Sequence, residues 1–258
     1  MKANVYLFSP SNWRLSVVGA EYQQKRVQSV YEWGGPAGAD LCFNLGLFDL
    51  WDGPANGCYA RSNGRDISYG GKSEVIAFNS VDACGGYSNG VINGVVKVNK
   101  YLTSPVATAY RTGVGQTSDG QFIVAQSRQP LTETAFCTEV NNFVRSLGKV
   151  VSKFVLEDGG GSTSEWSFMS GLGYFPSSVR KVATVLCVKL LKKPKFTRTL
   201  SKGMTGSDVM LLQTALGGIE ADGIFGNGTR ARVIAAQRAL GIAADGYAGP
   251  ITMSKLFK

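Results

Sequence analysis

Near its end the chain writes one phrase twice: Ala221-Asp222-Gly223-Ile224-Phe225-Gly226-Asn227-Gly228-Thr229 returns as Ala244-Asp245-Gly246-Tyr247-Ala248-Gly249-Pro250-Ile251-Thr252. Asp and Gly supply turn conformations that bulkier residues resist, and Thr can start a helix. Before and between the two phrases, Val209, Leu212 and Leu216 fall at i, i+3, i+7, and Val233, Ala236 and Leu240 repeat that spacing. Apolar residues at this period line one helix face, so both helices are expected to share a core. Met253, Leu256 and Phe257 would close a third, short helix. Residues 200–258 are thus predicted to be a three-helix bundle articulated by two equivalent Asp-Gly turns.

This segment resembles the peptidoglycan-binding domain of bacterial wall hydrolases. The resemblance lies in Gly203-x-x-Gly206-x-Asp208-Val209-x-x-Leu212-Gln213, in Asp222-Gly223-x-Phe225-Gly226-x-x-Thr229, in Gln237 and in the second Asp-Gly turn. It implies a module that binds wall glycan or stem peptide without cleaving it. Asp222, Gly223, Asp245 and Gly246 are expected to shape the binding groove, their side chains serving chiefly as turn and cap.

A change of composition at Lys192-Lys193-Pro194-Lys195 marks a linker over 193–199, and the run Lys189, Lys192, Lys193, Lys195, Arg198 around it reads as solvated linker charge in preference to a nucleic-acid patch. Residues 1–192 form the other domain. The whole chain has 33 glycines, 8 prolines and 44% hydrophobic residues, enough for two separate cores and suited to strands joined by tight turns. Stretches 15–18, 121–125 and 182–188 read as strands. A helix after Thr132 has the stripe Phe136, Val140, Phe143, Val144, Leu147 and ends at Gly148. The expected fold class is α+β: a mixed β-sheet domain with few helices, followed by the helical bundle.

The formal charge is +9, of which residues 195–258 supply +4 from eight basic and four acidic residues. Such a chain is drawn to polyanions, including the phosphate-rich bacterial envelope. There is no histidine, which removes the commonest general base, the commonest zinc ligand and every Ser-His or Cys-His arrangement. Five cysteines at no metal-ligand spacing are expected to be buried thiols. No metal or cofactor is expected, and the scattered acids Asp49, Asp119 and Asp158 make poor cation ligands. The first twenty residues contain a Pro10-Ser11-Asn12 turn and Arg14, which interrupt any secretory signal. The expectation is a monomer made in the cytoplasm that binds neither nucleic acid nor the membrane interior, and reaches the wall after lysis, through a holin or on a virion.

The most informative stretch is the apolar run Val150 to Leu156 followed by Glu157-Asp158-Gly159-Gly160-Gly161-Ser162-Thr163. Three glycines allow a sharp bend that turns several N–H groups toward one volume beside Asp158, suited to a phosphate or a sugar oxygen. Two further stretches precede it in order: Asn44-Leu45-Gly46-Leu47-Phe48-Asp49, and Arg111-Thr112-Gly113-Val114-Gly115 with Asp119-Gly120. Together with Asp158-Gly159-Gly160-Gly161-Ser162 and the turn Pro176-Ser177-Ser178-Val179-Arg180-Lys181-Val182, they resemble the phosphodiester glycosidase family over residues 1–192. The chain departs from that family in placing Glu157 where an apolar residue is usual, and in lacking the histidine of some relatives.

The resemblance implies cleavage of an α-linked N-acetylglucosamine phosphodiester, whereas the wall context equally permits a muramidase or glucosaminidase. A sugar-1-phosphate leaves as a stabilised anion, so one carboxylate and one guanidinium can suffice. Asp158 is assigned as principal carboxylate and Arg111 as clamp on a phosphate or carboxylate. Glu157 or Asp119 is the second acid, with Glu165 a lesser choice. Asn44, Gly159, Gly160, Gly161 and Ser162 are assigned to substrate binding. Being adjacent on extended chain, Glu157 and Asp158 should point to opposite faces and not act as a facing pair. Competing with this endolysin-like hydrolase is a wall-binding or virion structural protein whose first domain kept the fold but lost the chemistry.

Overall fold

The computed structural model describes residues 1–258 except 21–27, 47, 50–52, 55–57, 70–73, 100, 102–103 and 179, and except the side chains of 48–49, 53–54 and 68–69. Leu47, Val179 and the side chains of Phe48 and Asp49 therefore lie outside the described residues.

The first part is a β-sandwich. Its six-stranded sheet runs in the order Ala3–Phe8, Phe122–Ser127, Thr112–Thr117, Val151–Glu157, Ser88–Ile92, Val95–Val96. A five-stranded sheet, ordered Leu172–Tyr174, Glu165–Ser167, Leu41–Leu45, Thr184–Leu190, Trp13–Gly19, faces it. The pairings among the described strands are antiparallel. Alternation along each strand sorts side chains between layers: Tyr6, Phe8, Val114, Val124 and Val155 enter the space between sheets, where Phe43, Leu186 and Val188 meet them. Ala3, Val5, Ile123, Ala125, Phe154 and Leu156 point the other way, under the helix Glu133–Ser146.

That helix forms where its apolar stripe predicts. The Thr132 side chain accepts from the Ala135 N–H as N-cap, and Gly148 takes the left-handed conformation, φ 72°, just past the end. Phe136, Val140, Phe143 and Val144 are buried, each contributing roughly 1.5–3 kcal/mol by area. The glycines of Arg111-Thr112-Gly113-Val114-Gly115 have a packing cause. A Cβ on Gly113 would lie 2.4 Å from the Phe154 ring, and one on Gly115 2.4 Å from the Lys153 carbonyl.

The second part is the expected trio of helices, Ser207–Leu216, Asn227–Ala239 and Pro250–Leu256. The two later helices start at Asn227 and Pro250, two residues before the threonines expected to start them, and are preceded by Gly226 and Gly249. Their buried residues Val209, Leu212, Leu216, Val233, Ala236 and Leu256 do not form a core apart. They are continuous with the sandwich interior, so the two separate cores expected from composition are joined. Polar contacts cross the same seam. Ser167 Oγ donates to Ala215 O at 2.5 Å, Ser170 Oγ to Leu216 O at 2.9 Å, and Arg232 to Gly217 O and Gly173 O at 2.9 and 3.2 Å. All five cysteines are buried free thiols. No helix among the described residues is long and apolar enough to cross a membrane.

Candidate functional site

The strand Val151–Glu157 lies inside the six-stranded sheet, and Asp158 follows directly at its exit. The bend beyond is glycine for two different reasons. A Cβ on Gly159 would sit 2.4 Å from the Tyr110 carbonyl, a contact no side chain tolerates, and Gly160 has φ 59°. Three amides of this bend serve the turn itself. Gly160 N–H donates to Tyr110 O at 2.7 Å, Ser162 N–H to Gly159 O at 3.1 Å, and Thr163 N–H to Gly160 O at 3.3 Å. Of the three glycine amides expected to face a ligand, Gly160 N–H is therefore spent on the turn, and Gly159 N–H favours the Asp158 carboxylate.

Asp158 is partly exposed. Burial pushes its carboxyl up to about 6, against the Ser162 hydroxyl, the Arg180 charge and the Gly159 N–H, which all favour the ionised form. Ser162 Oγ is itself buried and makes no hydrogen bond of ordinary geometry among the described residues. Arg180 is exposed, and its side chain lies over Gly161, where a Cβ would be 3.5 Å from its Cδ.

Glu157 turns the other way, as extended geometry requires. It is 1% exposed, and its Oε2 accepts from Gly46 N–H at 3.0 Å. Burial pushes its carboxyl up to about 7, while Gly46 N–H and the Cys84 and Cys58 thiols beside it pull down and the Asp158 charge pushes further up.

The three dispersed motifs converge here, but their side chains do not all take the expected parts. Asn44 is 0% exposed, and both ends of its amide are used. Nδ2 donates to Asp158 O at 2.8 Å, and Oδ1 accepts from Thr112 Oγ1, Gln126 Nε2 and Ser164 N–H at 2.9, 3.0 and 3.0 Å. Asn44 therefore holds the Asp158 backbone in place and is not a direct contact for sugar. With Gly46 holding the Glu157 carboxylate, the Asn-x-Gly segment straps both adjacent acids from the facing sheet.

Arg111 is corrected outright. Its guanidinium is buried and donates to Glu133 Oε1 at 3.1 Å, Leu131 O at 3.0 Å and Ala107 O at 2.9 Å. Opposite charge inside the domain captures it, and it is not presented to a ligand.

Asp119 is corrected too. It sits in the hairpin joining Thr112–Thr117 to Phe122–Ser127, beside Gly120 at φ 85°, and pairs with Lys149. In the ladder Thr112 faces Glu157 while Thr117 faces Val151, so Asp119 lies at the far end of the strand, roughly 20 Å away at 3.3 Å per residue. Its carboxyl is held below the usual range by the Lys149 and Thr117 hydrogen bonds. Glu165 is likewise elsewhere. It is buried at the seam between the two parts, accepting from Tyr6 Oη at 3.1 and 3.2 Å and from Gly218 N–H at 2.6 Å. Burial pushes it up to about 7, opposed by Gly218 N–H, Arg232 and Tyr6.

Sequence reasoning gave no role to Arg180 or to the Cys58 and Cys84 thiols against Glu157. Arg180 stood within a quoted motif, Pro176 to Val182, and its position two residues past a Pro-Ser-Ser turn carried no signal of where the guanidinium would fall.

In the helical part the repeated phrase becomes a repeated structure. Asp222 Oδ1 accepts from Gln213 Nε2 at 2.7 Å and Ile224 N–H at 2.8 Å. Gln213 also donates to Ile224 O and Thr229 Oγ1, and accepts from Gly223 N–H at 2.8 Å. The second copy matches it contact for contact. Asp245 Oδ1 accepts from Gln237 Nε2 at 2.8 Å and Tyr247 N–H at 2.9 Å, and Gln237 reaches Tyr247 O, Thr252 Oγ1 and Gly246 N–H. Gly223 and Gly246 have φ 74° and 79°. These aspartates build turns, and a cavity of about 290 Å³ lies beside the second turn, bordered by Asp245, Tyr247, Ile251 and Thr252.

Comparison with known proteins separates the same two regions. Residues 205–256 match the family model described as "Putative peptidoglycan binding domain". A stretch of 67 residues is 42% identical to the zinc D-Ala-D-Ala carboxypeptidase of Streptomyces albus G, covering 23% of this chain and 26% of that protein, so the chain spans about a quarter of that relative's length. The catalytic domain of zebrafish N-acetylglucosamine-1-phosphodiester alpha-N-acetylglucosaminidase, solved auto-inhibited by its pro-peptide, superposes with a TM-score of 0.51 at 17% identity. That match covers 72% of this chain and 82% of the other, and it shows a shared fold. The C-terminal helices thus match the peptidoglycan-binding domain model, and they are joined to a sandwich that shares its fold with the catalytic domain of the zebrafish enzyme.

Proposed function

We propose that this chain is a hydrolase of bacterial wall glycan, its helical part holding the wall while the sandwich cleaves a glycosidic bond, by preference one to a sugar-1-phosphodiester. The observation that carries this reading is Asp158: a carboxyl raised by burial to about 6, partly open to solvent, anchored through its backbone by Asn44 and facing the Arg180 charge. It stands on a fold shared with an enzyme whose name specifies an N-acetylglucosamine phosphodiester.

The chemistry follows from charge. As the bond to phosphate lengthens, positive charge grows at the anomeric carbon and negative charge on the departing oxygen. Ionised Asp158 stabilises the first, Arg180 stabilises the second in the role expected of Arg111, and water adds to the anomeric carbon as the phosphate departs, its proton passing to the released phosphate. Because the phosphate leaves as an anion, no strong acid has to protonate it, consistent with a site built without histidine. Glu157 is a positioning residue on this account. Its carboxyl strap to Gly46 fixes the end of the strand that presents Asp158.

The wall as target rests on the 205–256 match, and release through lysis, a holin or a virion belongs to the same reading. Mass spectrometry of soluble fragments from purified walls tests it. Sugar fragments with new reducing ends support the proposal; new amines from cut peptides, or no fragments at all, overturn it.

A further inference from the structure

A second cavity, of about 550 Å³, opens where the two parts of the chain meet, far from the Asp158 bend in sequence. Its rim takes Lys189 from the last sandwich strand, Lys193 from the connector, Lys255 from the last helix and Lys258 from just beyond it. One carboxylate, Asp40, joins them, and it is already engaged: Oδ1 by Lys189 Nζ at 3.2 Å and Oδ2 by Leu190 N–H at 2.7 Å. The floor is apolar, from Phe168, Met169 and Leu256.

Four ammonium groups around one carboxylate leave a net positive concavity, and a concave wall of low dielectric concentrates that field. Nothing in the helical fold demands this arrangement, because Lys193, Lys255 and Lys258 are exposed and could be any polar residue without cost to the core. The volume exceeds what one small anion fills. Charges contributed by both parts of the chain favour a ligand carrying several anions in a row.

We propose that this seam cavity binds a repeating phosphodiester chain, of the polyol-phosphate kind found in phosphate-rich envelopes, with phosphates on the lysine rim and the polyol carbons over the apolar floor. The identification of the ligand rests on the wall-hydrolase reading above. Such a contact would give the chain a hold on the wall separate from the Asp-Gly turns, and would favour sugars close to phosphate as substrates.

The test uses the full-length chain and its K193E/K255E variant, with poly(glycerol phosphate) as probe and poly-glutamate of matched charge as control. The expected result is binding of poly(glycerol phosphate) that weakens at least tenfold in the variant and falls steeply with salt, with little binding to poly-glutamate. Phosphate-free sacculi should pellet both proteins equally, and thermal unfolding should coincide. Equal binding of the two polymers, or a variant that binds poly(glycerol phosphate) as well as the parent, overturns the proposal. Either result leaves the Asp158 assignment standing, since that is read from fragments of the wall rather than from polymer binding.

Discussion

The helical part and the sandwich solve the same problem, holding an acid at a bend that begins with Asp-Gly, in opposite ways. In the helices, Asp222 and Asp245 each accept from a buried glutamine and a turn amide, and neither departs from the role of building the fold. In the sandwich, Asp158 is held by its backbone through Asn44, which leaves its carboxyl to meet Ser162, Arg180 and solvent. Where the side chain is consumed the residue is architecture; where the backbone is held and the side chain is spared, chemistry becomes available.

The largest expected effect breaks this comparison at its functional end. Asp158→Asn should lower release of wall fragments by at least about a hundredfold, the scale of losing an active-site carboxylate, with the unfolding midpoint nearly unchanged. If the substitution instead unfolds the domain, Asp158 is architecture after all.

Next come the glutamines. Gln213→Ala and Gln237→Ala each remove a buried side chain with four hydrogen bonds, leaving the Gly223 or Gly246 N–H without its acceptor and the aspartate with the turn amide alone, which should cost roughly 2–4 kcal/mol in each case. Denaturant unfolding should give similar losses for the two, because the repeats match. A large inequality would mean that the two turns carry different loads.

A third effect sits at the seam. Glu165 has its pKa pushed up to about 7 in the folded chain, above the ordinary 4.5. The unfolded state then loses its proton first as pH rises, so folding stability declines between about pH 4.5 and 7 and is level above that. Glu157, also raised to about 7, adds to the same window. Glu165→Gln keeps an acceptor for Gly218 and Tyr6 and removes the titration. Melting curves across pH should show a shallower decline in that variant, and an unchanged slope would contradict the burial of this carboxyl.

The smallest effect is a control at the far end of the sheet. Asp119→Asn breaks an exposed pair with Lys149 and should shift stability by less than about 1 kcal/mol, with fragment release unaltered. A marked loss of activity would restore Asp119 as the second acid.

Much of this was legible in the sequence because it is local. The duplicated phrase announced two equivalent turns, the stripe after Thr132 announced a helix, and Gly159 and Gly160 announced a bend whose geometry needs them. Arg111, Asn44 and Glu165 were named from the sequence for the wrong reasons, because their roles depend on partners 20 to 120 residues away: Glu133 and Leu131 for Arg111, Ser164 and Asp158 for Asn44, Gly218 for Glu165. A motif preserves the residue type but not the direction of its side chain. Arg111 shows this most clearly, its guanidinium turned inward while Arg180, which no spacing marked, supplies the charge beside Asp158. The joining of the two cores was equally invisible, since serine hydroxyls on the carbonyls of Ala215 and Leu216 leave no periodic trace.

The most direct measurement follows reducing ends released from purified wall against pH, for the parent chain and for Asp158→Asn, with pelleting on the same wall as the control for binding. The account predicts a parent rate that rises through about pH 6 as Asp158 ionises, no rate above background in the variant, and equal pelleting of both. A variant that releases reducing ends at the parent rate would contradict it.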